Sequence, residues 1–91
     1  MKFTWEEKKR QRNLEKHGID FADADTIFSH PILVKRDARR DYKETRWAAL
    51  GQLKDMVVFL AYTFRGNDVR IISIRRASKK ERQIYAQAIK D

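Results

Sequence analysis

The chain has 91 residues, with 21 Lys and Arg against 13 Asp and Glu, a net charge of +8, 42% hydrophobic residues and no cysteine. That length suits a single domain over 1–91 with a small core, burying only ~60–65% of the surface its unfolded form exposes. The composition excludes a disulfide framework and a thiolate metal site, and the longest apolar run, Met56 to Tyr62, is far short of the ~20 residues of a membrane span. With a charged N-terminus lacking signal-peptide character, these features predict a cytoplasmic protein. The positive excess favours a polyanionic partner, nucleic acid ahead of an acidic protein surface. No amphipathic helix or lipid anchor points to a membrane.

In chain order, Thr4 and Glu7 have capping-box spacing and predict a helix from near Trp5 to Lys16 or His17, stopped by Gly18. Trp5 and Leu14 are its only large apolar residues among Lys8, Lys9, Arg10, Arg12 and Lys16, so most of it is solvated or ligand-facing. Asp20 is the expected N-cap of a second short helix. Phe21, Ala24, Ile27 and Phe28 form its core-facing stripe, and Ser29-His30-Pro31 ends it. Strands are predicted over 32–35, 45–50 and 56–64, with a mixed-charge loop over 36–43 and a hairpin over 52–55. Arg65-Gly66-Asn67-Asp68 reads as a turn into a strand from Val69 to Arg76 rich in β-branched residues. Ser78 and Glu81 then form a capping box for a helix over 78–90, expected to pack back through Ile84, Tyr85, Ala88 and Ile89. The predicted fold is α+β: two N-terminal helices, a four-stranded mainly antiparallel sheet and a C-terminal helix, with the helices on one face.

Two histidines, His17 and His30, without a second one at helical spacing make a poor metal site. No glycine-rich phosphate loop or nucleophile elbow is present. What remains is basic and aromatic: Tyr42, Lys43, Glu44, Arg46 and Trp47 in one run, then Arg65, Arg75, Arg76, Lys79, Lys80 and Tyr85. Arginine forks match phosphate oxygens and aromatic rings stack on unpaired bases. RNA cleavage without a metal or other cofactor needs little more: a base for the 2′-hydroxyl, cations for the pentavalent phosphate and an acid for the leaving oxygen. By the two-residue strand period, Arg46, Ala48 and Leu50 share one face and Thr45, Trp47 and Ala49 the other; Arg75 and Arg76 likewise point opposite ways. Which face is open is undetermined at this level.

Three runs, Trp5 to Phe21 (WEEKKRQRNLEKHGIDF), Tyr42 to Trp47 (YKETRW) and Arg70 to Tyr85 (RIISIRRASKKERQIY), together resemble the BrnT family of toxins, in the family's order and spacing. The resemblance implies a RelE-like fold and a cytoplasmic ribonuclease toxin that arrests growth. It also implies neutralisation by a BrnA-like antitoxin whose ribbon-helix-helix domain carries the pair to operator DNA. Two positions depart from the family pattern: Lys43, where glycine is usual, and Ile74, where a smaller residue is common. On this reading Arg75 and Arg46 hold the scissile phosphate, with Arg76 the substitute if the faces are reversed. Glu44 is the general base and His17 or Tyr85 the acid or positioning group; Lys43, Trp47, Arg65, Lys79 and Tyr85 contact RNA. The alternative is a non-catalytic basic module that serves as antitoxin-bound co-repressor.

Overall fold

A computed structural model describes residues 1–89. Its elements are β1 (Phe3–Thr4), α1 (Glu7–His17), a 3₁₀ turn (Phe21–Asp23), α2 (Ala24–Phe28), β2 (Leu33–Arg36), β3 (Trp47–Leu53), β4 (Met56–Arg65), β5 (Asp68–Arg76) and α3 (Lys79–Ile89). The sheet is five-stranded and mixed, in the order β1-β5-β4-β3-β2, antiparallel throughout except for β1, which runs parallel to β5. The meander of β3, β4 and β5 follows the expectation; the fifth strand does not. Thr4 is drawn into β1 opposite Arg70, and its hydroxyl accepts from Arg70 Nε (3.1 Å). It is therefore not the helix cap. α1 begins after Glu6 with no side-chain cap, and Glu7 pairs with Arg10 instead.

The other terminal signals act as their chemistry requires. Gly18 closes α1 at φ 71°, where its N–H donates to Leu14, a conformation a Cβ would strain. Asp20 accepts from the Ala22 N–H, and Ser78 and Glu81 exchange both capping-box bonds. The last position assigned to the C-terminal helix from sequence, Lys90, lies outside the described residues.

Two apolar cores flank the sheet, not one. Phe21, Ala24 and Ile27 pack on Ala49, Val58, Leu60, Tyr62, Ile71 and Ile74. On the other face Tyr85 and Ala77 pack on Ala48, Leu50, Phe59 and Ala61. The helices thus cover both faces. α3 does so through one side chain: Tyr85 is 5% exposed, while Ile84 is 45% exposed and Ala88 and Ile89 also face outward. α1 packs beside β5, where buried Asn13 takes the place of a neighbouring strand. Its Oδ1 accepts from the Ile74 N–H (3.1 Å), and its Nδ2 donates to the carbonyls of Ile74 (2.8 Å) and Ile19 (2.9 Å). β1 pairs only at Val69 and Arg70, so this asparagine satisfies backbone groups the short strand leaves behind. Over β3, close packing of α2 needs Gly51: a Cβ there would lie 2.7 Å from Ile27 Cγ2.

Candidate functional site

The face carrying Tyr85 also carries the groove. It has a volume of about 720 Å³ and lies between β2, the loop that follows it, β3, β4 and the start of α3. Phe59 is central to it. Arg75 stands opposite Phe59 across the β4–β5 ladder, and its guanidinium lies over the ring at 4.2 Å. Glu81 fixes it there: Arg75 Nη1 and Nη2 donate to the two carboxylate oxygens at 2.8 and 2.9 Å. This two-bond pairing, assisted by the Ser78 N–H, pulls the Glu81 carboxyl down to about 2. A second guanidinium, Arg39, also lies over Phe59 (5.2 Å). It donates from Nε and Nη2 to Asp37 at 2.8 and 2.7 Å. The Asp37 side chain is 2% exposed, and these bonds keep its carboxyl below the usual range against the opposing effect of burial.

Further along the same face Arg46 stacks on Tyr42 (4.1 Å) and donates to Glu44 (3.2 Å), which also accepts from Arg65 (3.3 Å). Contacts join the two groups: the Tyr42 hydroxyl donates to Asp37 (3.4 Å), and the Asp37 N–H donates to the Arg46 carbonyl (2.8 Å). They are still separate. Trp47 pairs with Tyr62, so Arg46 sits level with Thr63, four β4 residues from Phe59 and Arg75. At ~3.4 Å per residue that is roughly 13 Å along the strand. Their backbone positions are thus well separated along the sheet, and each guanidinium is turned onto a different ring and carboxylate.

The remaining sequence-predicted residues fall in different places. Arg76 is exposed and points to the other face, in register with Val58. His17 is half-buried, one turn beyond Asn13 on α1. Burial lowers its pKa first, then the charges of Lys16 and Arg75, so the imidazole is neutral at pH 7 and within electrostatic range of Arg75. Lys43 and Lys79 are exposed. Trp47 packs against the α2-side core, and buried Tyr85 donates its hydroxyl to the Pro31 carbonyl (2.8 Å). Tyr85 is thereby closed to a stacking base, while Trp47 is half-buried. Burial also pushes the Tyr85 phenol up, away from acid duty near neutrality.

Arg39, Asp37 and Phe59 were missed from the sequence, and Glu81 was read as a cap alone. The signal for Asp37 and Arg39 was present but weak, because Arg36, Arg40, Asp41 and Lys43 crowd the same loop with charge of both signs.

The family model for BrnT, the ribonuclease toxin of type II toxin-antitoxin systems, matches residues 5–81. A comparison with curated proteins gave no match. The matched span contains α1 with His17, both arginine groups and the Glu81 clamp, and the chain belongs to the BrnT family of ribonuclease toxins of type II toxin-antitoxin systems.

Proposed function

We propose that this toxin is a metal-independent endoribonuclease in which Arg75 binds the scissile phosphate and neutral His17 takes the 2′-hydroxyl proton. The observation that carries this reading is the setting of Arg75: alone among the arginines expected at the reaction, it lines the groove, fixed over Phe59 by a two-bond clamp. A groove with convergent polar groups and perturbed titration is the first place to seek chemistry. The 2′-oxygen attacks phosphorus, the bond to the 5′-oxygen breaks, and His17 holds the proton removed. Arg75 carries the negative charge that builds on the phosphoryl oxygens. The products are a 2′,3′-cyclic phosphate and a 5′-hydroxyl, the latter reprotonated from solvent or the imidazolium. Glu44 is bound to Arg46 and Arg65 rather than to Arg75, and this reading does not use it as the base. It sets the angle of Arg46 and Arg65, which hold a phosphate further along the strand.

A type II system pairs its toxin with a protein antitoxin. We assign that role to a BrnA-like protein with a ribbon-helix-helix domain, through which the complex reaches operator DNA; the site of action is the cytoplasm. The support is the family resemblance and the basic charge.

The test is cleavage of a defined RNA in EDTA by antitoxin-free protein, with end-group analysis. Arg75→Ala is expected to lower kcat by at least about 100-fold. His17→Gln is expected to remove the acidic limb of the pH–rate profile, which in the native protein falls as pH drops through a value below 6.5. Full activity in both folded variants, or activity only on adding magnesium, overturns the mechanism. Growth that continues on expression of the free protein favours the co-repressor instead.

A further inference from the structure

We propose that the groove beside Arg75 binds one unpaired nucleotide of single-stranded RNA, with its base on the apolar floor and its flanking phosphates on Arg39 and Arg75. The proposal rests on the ribonuclease reading above and adds the class of substrate. Its first support is the pair of guanidiniums. Arg39, whose side chain is 60% exposed, and Arg75 lie over one ring, Phe59. Two like charges on one ring repel each other, and each is held there by its own carboxylate, Asp37 or Glu81. A clamped guanidinium has little side-chain freedom left to lose when a phosphate arrives. The clamp on Arg39 runs through Nε and Nη2, and the Nη1 side is not part of it.

The second support is the floor. Leu33, Leu50, Phe59 and Ile84 line the groove, and Ile84 stays 45% exposed on a helix whose neighbouring Tyr85 is buried. Lys35 and Arg36 add positive charge at the rim. Apolar surface walled by fixed cations complements a flat, unpaired base between two phosphates. A duplex keeps its bases stacked inward and offers mainly backbone, so it leaves this floor empty.

The experiment uses a short 2′-O-methyl RNA, which has no free 2′-hydroxyl and cannot be cut. Its affinity is measured by fluorescence anisotropy as a single strand, as a duplex, and as single strands abasic at successive positions. The single strand is expected to bind roughly tenfold tighter than the duplex, with one abasic position abolishing that advantage. Arg39→Gln and Ile84→Asp, both at exposed side chains, should each weaken the single strand about tenfold. Arg39→Gln should also reduce the slope of log K against log salt by about 0.7. Equal affinity for duplex and single strand overturns the proposal, as does unchanged affinity in both variants. So does an Ile84→Asp protein that binds RNA normally and fails to bind its antitoxin, since the groove then belongs to the protein partner. Cleavage assays separate the two readings. Full activity of Arg75→Ala sinks the catalytic reading whatever the groove binds. Loss of cleavage in Arg75→Ala with normal binding by Arg39→Gln and Ile84→Asp sinks the groove alone.

Discussion

Glu81 serves two neighbours at once. Oε1 accepts from Arg75 Nη1 and from the Ser78 N–H, and Oε2 accepts from Arg75 Nη2. The same carboxylate therefore starts α3 and orients the arginine assigned to the phosphate. Its pKa drops from 4.5 to about 2 on folding. A depressed carboxyl adds stability that is complete above the unfolded value and disappears as pH falls through the folded one. Glu81→Gln is expected to cost about 1–2 kcal/mol at pH 7 and to flatten the decline of Tm between pH 4.5 and 2, read by thermal unfolding at a series of pH values. Lys43 makes a contrasting case. It stands at φ 60°, where a Cβ costs about 1–2 kcal/mol, at the position where the family pattern has glycine. Lys43→Gly should raise stability by roughly 0.5–1 kcal/mol in urea unfolding, the gain reduced by the greater freedom of glycine in the unfolded chain.

The strands β4 and β5 were legible because their apolar, β-branched-containing runs are bounded by turn residues, two-residue β1 was not, and Gly18, Asp20 and the Ser78–Glu81 box marked their helix ends by local chemistry alone. Thr4 and Glu7 have the same spacing as that box, yet the pairing of Thr4 with Arg70 took precedence; a local signal cannot weigh a partner far away in sequence. The orientation of the two arginines was hidden for a sharper reason. The turn at Gly66-Asn67 pairs Arg65 with Asp68, and continuing that register would set Phe59 against Ile74. An irregularity between Ala61 and Tyr62 leaves Ile72 without a partner and shifts the ladder by one, so Phe59 meets Arg75. One unpaired residue thereby turns Arg75 rather than Arg76 into the groove, and nothing in the local sequence announces it. Asn13 was equally silent, because its partners belong to Ile74. Asn13→Leu is expected to strand the Ile74 N–H and carbonyl and cost about 2–4 kcal/mol, measured by chemical denaturation. Gly51→Ala should cost about 1–3 kcal/mol by forcing Ile27 off its contact with β3.

Across the molecule one row of guanidiniums stands out. On the grooved face Arg75, Arg39, Arg46 and Arg65 follow one another, each beside a carboxylate and two of them over Phe59. Four phosphate contacts along that row predict a slope of log K against log salt near −3 for single-stranded RNA, at about 0.7 per contact. Titrations across a range of salt concentrations check it, and a slope near zero would mean that these pairs stay closed to RNA. The bonds between the two ends of the chain also dictate when that face can exist. Val69 donates its N–H to the Lys2 carbonyl, Arg70 reaches Thr4 across 66 positions and Asn13 reaches Ile74 across 61. A ribosome makes the first helix early and the strand that receives it almost last. Until β5 emerges, Asn13 has no backbone to bind, His17 lies far from any arginine of that strand, and Phe59 has no Arg75. On the proposed mechanism the chain thus has no assembled site for most of its synthesis, and completes it only after the final strand arrives beside the first.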